Sequence, residues 1–169
     1  MLDTANAALL ILRVAAGAVL FAHGLKHLRN REKTMRWTAG MGFRSPGIQW
    51  FFMAFAEIGV GFSLALGLLT SAGAAGLISL MVVAFWTVHR HAGFWITARP
   101  DEGWEYAFVL TAVAWALALI GPGEWSLDNA IGIADNLDGG VGALIAAVGV
   151  AAAIGQLAIF FRPGTRAAS

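Results

Sequence analysis

With 169 residues, 59% hydrophobic and only 12% charged, the chain departs from soluble domains, in which about a quarter of residues are charged. Its length suits one transmembrane helical domain over residues 1–169 rather than several domains. It has no cysteine, which excludes disulfides, thiolate chemistry and cysteine-held zinc or iron–sulfur centres of its own. The formal net charge is only +1, so information lies in where the charges fall.

The first apolar stretch, about residues 7–28, is too long for a signal-peptide core and reads as a retained helix. Arg13 interrupts it. A basic loop follows, with Lys26, Arg29, Arg31, Lys33, Arg36 and Arg44. Ser45 and Pro46 then open a second helix, about 47–69, as N-cap and first helical residue. A turn at Ser71-Ala72-Gly73 leads to a third helix, about 72–89, ending in His89-Arg90-His91. A fourth, about 104–120, is stopped by Gly121-Pro122-Gly123. An acidic loop with Glu124, Asp128, Asp135 and Asp138 precedes a fifth, alanine-rich helix, about 141–161.

Five crossings put alternate loops on opposite sides. The first loop, the third loop (Arg90, Arg99) and the tail (Arg162, Arg166) then share one side and hold ten of the eleven Lys and Arg residues. The eleventh is Arg13. By the positive-inside rule this side is cytoplasmic, giving an inner-membrane protein with its N-terminus outside and C-terminus inside.

A carboxylate in the middle of an apolar span costs about 2–3 kcal/mol even on lenient insertion scales. Glu57 occupies that position in the second helix. Arg13 is the one basic residue within another apolar stretch. Counting ~1.5 Å per residue from each boundary places the two about 7 Å apart in depth, within reach of an arginine side chain. Two readings of the pair stand: a buried ion pair that fixes helix register, or a polar pocket for a quinone-like head group. On the first helix Arg13, Gly17, Leu20, Gly24 and His27 share a face, and the two glycines allow a neighbour's backbone to approach it.

A second cluster gathers at the cytoplasmic ends: His23, Lys26, His27, His89, His91 and Glu105. Interfacial snorkelling, metal or haem ligation by His23 and His27, and a proton-exchanging entrance are its three readings. Glu105, one residue inside the fourth helix, is placed to reach Lys26 or His23. Most of the seven tryptophans lie near predicted helix ends and mark membrane interfaces. No phosphate loop, catalytic triad or nucleic-acid patch is present, and the basic first loop reads as topology and contact with anionic lipid.

Three blocks resemble the DoxX family of small bacterial membrane proteins. They are Leu12-Arg13 with His23-Gly24-Leu25-Lys26; Glu57-Ile58-Gly59-Val60-Gly61 through Leu66-Gly67-Leu68-Leu69-Thr70; and Gly103-Trp104-Glu105-Tyr106 with Gly121-Pro122-Gly123-Glu124-Trp125-Ser126-Leu127-Asp128. The resemblance implies an all-α membrane protein, a four-helix transmembrane bundle linked with redox complexes. The helix about 141–161 is a fifth, C-terminal addition to that pattern. It also implies a membrane-anchoring, quinone-associated subunit of an oxidoreductase complex, with Arg13, His23, Lys26, Glu57 and Glu105 as ligand-binding candidates. No covalent cofactor and no metal are expected, and the partners are the bilayer and other subunits of the complex. Lacking cysteine, the chain is at most one subunit of an enzyme. The alternative is a structural or assembly factor whose buried charges only hold the bundle together.

Overall fold

In the computed structural model, residues 3–163 are described; Arg166 of the basic tail and the C-terminus lie outside them. These residues form helices and no β-strand. Helix α1 (Thr4–Arg29) is followed by a short α2 (Arg31–Gly40), then α3 (Pro46–Leu66) and α4 (Thr70–Thr87). Beyond the loop after α4 come α5 (Glu105–Ile120), the single turns α6 (Leu127–Ala130) and α7 (Ala134–Leu137), and α8 (Gly139–Phe160).

Four of these helices, α1, α3, α4 and α8, are long and apolar enough to cross a bilayer. At 16 residues α5 is shorter, about 24 Å at ~1.5 Å per residue against a hydrocarbon core of ~30 Å. It nonetheless runs between the two ends of the bundle. Its first residue bonds back to Phe94 in the loop after α4 (Glu105 N to Phe94 O, 2.9 Å). Just past its end, the Glu124 amide donates to Asn6 Oδ1 at the start of α1 (2.7 Å).

Three boundaries differ from the sequence reading for identifiable reasons. Helix α1 starts earlier because Asp3 caps it, its Oδ1 accepting from the amides of Ala5 and Asn6 at 3.1 Å. The α3–α4 turn lies at Gly67-Leu68-Leu69 rather than at Ser71-Ala72-Gly73, and α4 begins at Thr70. The first loop, expected to be irregular, contains α2, whose Thr34 and Thr38 lie four residues apart and are buried. Ser45 precedes Pro46 as expected, but its side chain makes no capping bond and its backbone is left-handed (φ 54°). The chain is tied down there by Arg44 N to Phe160 O (2.8 Å), which fastens the end of α8 to the α2–α3 link.

Helix α1 packs chiefly on α3 and antiparallel to it, as the expected small-residue face requires: Arg13, Gly17, Leu20 and Gly24 are all buried. A β-carbon on Gly17 would meet the Gly61 carbonyl oxygen at 2.6 Å, and one on Gly24 the Ala54 carbonyl oxygen at 2.8 Å. Backbone therefore touches backbone, the contact that drives helix association where lipid offers no hydrophobic force. Helix α4 is the centre of the remainder, with Ala74, Leu77 and Ile78 fully buried against α3, α5 and α8.

Gly17→Ala is expected to destabilise the bundle by about 1–3 kcal/mol, the usual range for overpacking, measured by denaturant unfolding in detergent micelles. Gly59→Ala, whose β-carbon would meet nothing within 4 Å, is expected to be neutral or slightly stabilising, since alanine favours helix over glycine.

Candidate functional site

The α1–α3 register decides where the two intramembrane charges sit. With Gly17 against Gly61 and Gly24 against Ala54, each step along α1 is a step backwards along α3. Arg13 thus falls level with Gly67, at the far end of α3, and its guanidinium lies where a side chain on Gly67 would otherwise be. Glu57, ten residues earlier, lies about 15 Å away along the bundle at ~1.5 Å per residue. The expected pairing of Arg13 with Glu57 is not found. The depth count had set both helices to begin at the membrane boundary, whereas α1 overshoots the end of α3 by more than two turns.

Each charge has a different neighbourhood. Arg13 is fully buried, and its Nη2 donates to the Trp125 carbonyl oxygen at 2.6 Å. Its Nε and Nη1 have no partner. Asp128, also buried, acts on Arg13 through space and is not in direct ion-pair contact with it. The carboxylate of Asp128 accepts from the amides of Leu69 (2.6 Å) and Thr70 (2.8 Å), while its own amide donates to the Gly67 carbonyl (2.8 Å). It therefore caps the N-terminus of α4, where a negative charge is favoured by the helix dipole, and holds Leu69 in a left-handed conformation (φ 50°). Arg13, Trp125 and Asp128 together fasten the 121–130 segment over this end of the bundle.

Glu57 looks the other way, into a cavity of about 520 Å³ at the α2 end. It is 9% exposed, and its Oε2 has no hydrogen-bond partner. The His27 Nε2 stands 3.8 Å off, beyond hydrogen-bond reach. That imidazole is fixed by Nδ1 against Thr34 Oγ1 (3.1 Å) and by stacking on Trp37 (centroids 6.1 Å apart, planes at 12°). The walls are mainly apolar, from α3 and α4, with Trp37 and Met41 from the α2 segment and Gln156 from α8. Gln156 donates to the buried Gln49 (2.9 Å). His89, Asp101 and Glu102 lie at the mouth. Among the described residues, ion-pair contacts within 4 Å are His27–Glu57 and the exposed Arg36–Glu32.

Of the five candidates from the sequence, Glu57 alone lines this cavity. His23 is exposed, with Nδ1 against the Val19 carbonyl of its own helix (2.9 Å). Lys26 is also exposed. Glu105 accepts from the Ile96 amide (3.0 Å) and so shapes the loop between α4 and α5. His27 has the direct position beside Glu57. Its signal was its place three residues after Gly24, on the face that packs against α3. Gln49, Gln156 and the capping role of Asp128 carried no comparable local signal.

The family model DoxX matches residues 8–90. Over that segment the chain belongs to the DoxX family. No curated protein and no solved structure matches the chain. The DoxX segment contains Arg13, His27, Glu57 and most of the cavity wall, whereas the mouth residues Asp101 and Glu102, Gln156 and the Asp128 cap are supplied by the chain beyond it. The protein is thus a DoxX-family membrane protein whose C-terminal half completes both ends of the DoxX helices.

Asp128→Ala removes two charge-assisted bonds to backbone amides at the start of α4. It is expected to lower stability by roughly 2 kcal/mol or more, read as thermal unfolding in detergent. Asp128→Asn, which keeps one acceptor oxygen, is expected to lose less.

Proposed function

We propose that this DoxX-family protein is a membrane-anchoring subunit of a redox complex that holds a quinone head group in the Glu57 cavity. The observation that carries this reading is the Oε2 of Glu57, buried without a partner in the wall of a mainly apolar cavity. Ligand pockets of about 300–1,000 Å³ with apolar walls and a few convergent polar groups are the usual form of small-molecule sites. An intramembrane carboxyl oxygen with no hydrogen-bond partner calls for one.

The residues present fit a quinone-like ring. Trp37, Phe43 and Phe52 offer flat apolar surface. Glu57 and His27 offer two polar groups, 3.8 Å apart, that can exchange hydrogen bonds with ring oxygens. A bound quinone would supply two-electron, two-proton carrier chemistry. The chain's own contribution is to bind the ring, keep it among apolar side chains and hold protons at Glu57 and His27. With no cysteine, thiol or sulfur redox steps fall to partner subunits. Arg13 serves the opposite end of the bundle and is left out of this site.

The setting proposed is a bacterial inner membrane crossed five times, α5 included, with the α2 face cytoplasmic. The charge count supports that orientation: the exposed Arg29, Arg31, Lys33, Arg36 and Arg44 all cluster around α2.

The test is binding of a short-chain quinone to the full chain in nanodiscs, followed by tryptophan fluorescence, since Trp37 lines the cavity. Saturable binding is expected, weakened about tenfold in Glu57→Leu, which removes the carboxyl that exchanges a hydrogen bond with a ring oxygen. No saturable binding by the unaltered chain would contradict the reading and favour the structural or assembly role.

A further inference from the structure

The charge of the cavity wall runs against that of its surroundings. The α2 face carries exposed Arg29, Arg31, Lys33, Arg36 and Arg44. Among the described residues the cavity is lined by three acidic residues, Glu57 within and Asp101 and Glu102 at the mouth, and by no lysine or arginine. Among the described residues neither Asp101 nor Glu102 is in an ion pair. Its other titratable groups are His27 and His89. His89 is engaged at Nδ1 with the Glu102 carbonyl oxygen (2.7 Å).

The apolar part of the wall has matching chemistry. Trp37, Phe43 and Phe52 face the same space as Met41, Met53 and Met81. Aromatic faces attract cations through their quadrupole. Methionine adapts its shape to varied apolar ligands and is over-used at promiscuous binding surfaces. The quinone of the proposed redox role engages Glu57 and His27 and leaves Asp101 and Glu102 without a counterpart. A cation bearing apolar groups meets every feature of it: the charge at Glu57, whose Oε2 lacks a donor, and the apolar groups on the aromatic and thioether walls.

We propose that the Glu57 cavity binds lipophilic organic cations, with Asp101 and Glu102 drawing them to the mouth and Glu57 holding the charge. This goes beyond the redox role; it shares with it the cavity and not the quinone.

Tetraphenylphosphonium and tetraphenylborate, nearly the same in shape and opposite in charge, separate charge selection from simple partitioning. Each is equilibrated by dialysis with the full chain in neutral maltoside micelles, protein-free micelles serving as the blank. The phosphonium is expected to bind saturably and at least tenfold more tightly than the borate, since only the cation meets an opposite charge in a low-dielectric site. Glu57→Gln is expected to weaken phosphonium binding about tenfold. The exposed pair Asp101→Asn with Glu102→Gln, which leaves the buried core untouched, is expected to weaken it two- to threefold, an effect that fades with added salt. Equal binding of both ions overturns the proposal, as does phosphonium binding unchanged in both variants. Quinone binding without cation preference overturns it while leaving the redox reading intact; cation binding without quinone binding does the reverse.

Discussion

The backbone contact of α1 with α3, Gly17 on Gly61 and Gly24 on Ala54, is the constraint from which the rest follows. No side chain intervenes at these points, so the two helices cannot slide by a turn without a collision. That register sends Arg13 to one end of the bundle and Glu57 toward the other. The two charges therefore do not neutralise one another, and each has to be accommodated by what the chain builds around it.

The two accommodations are unlike. At the Arg13 end the chain closes. The 121–130 segment lies over the α3–α4 turn, Trp125 accepts from the guanidinium, and Asp128 caps α4. At the α2 end the chain leaves space. Glu57 is walled by apolar side chains and faced by an imidazole that stops short of a hydrogen bond. A closed end, where Arg13 and Asp128 are tied to the backbone, reads as structure; an open end with an acid facing a cavity reads as a place for something else. Helix α8 belongs to both, since its start follows the closing segment and its Gln156 reaches the cavity wall.

Much of this was legible in the sequence because membrane proteins write their constraints locally. Apolar run length gave the long helices, the distribution of lysine and arginine gave an orientation to test, and two glycines seven residues apart marked the packed face of α1. Glu57 stood out because an acid in an apolar span is costly wherever it points. What was not legible depends on distant partners. Arg13 finds its acceptor at Trp125, 112 residues away, and Asp128 caps a helix 58 residues earlier in the chain. Neither spacing has a period. The α3–α4 turn moved four residues because that remote cap, and not a local signal, sets where α4 begins. Helix α2 was hidden by its charge, since a polar helix at an interface lacks the apolar stripe that reveals one in solution.

The claim on which the account turns is that Glu57 faces a cavity reached from the α2 side and not a buried arginine. Because the chain has no native cysteine, Glu57→Cys provides a single thiol in an otherwise unreactive protein. Its labelling by a small, membrane-impermeant maleimide can be followed with the reagent supplied to one face of oriented vesicles at a time. The account requires labelling from the face that carries α2 and none from the face that carries Trp125. A thiol that reacts from the Trp125 face, or from neither face while reacting fully after denaturation, would contradict it.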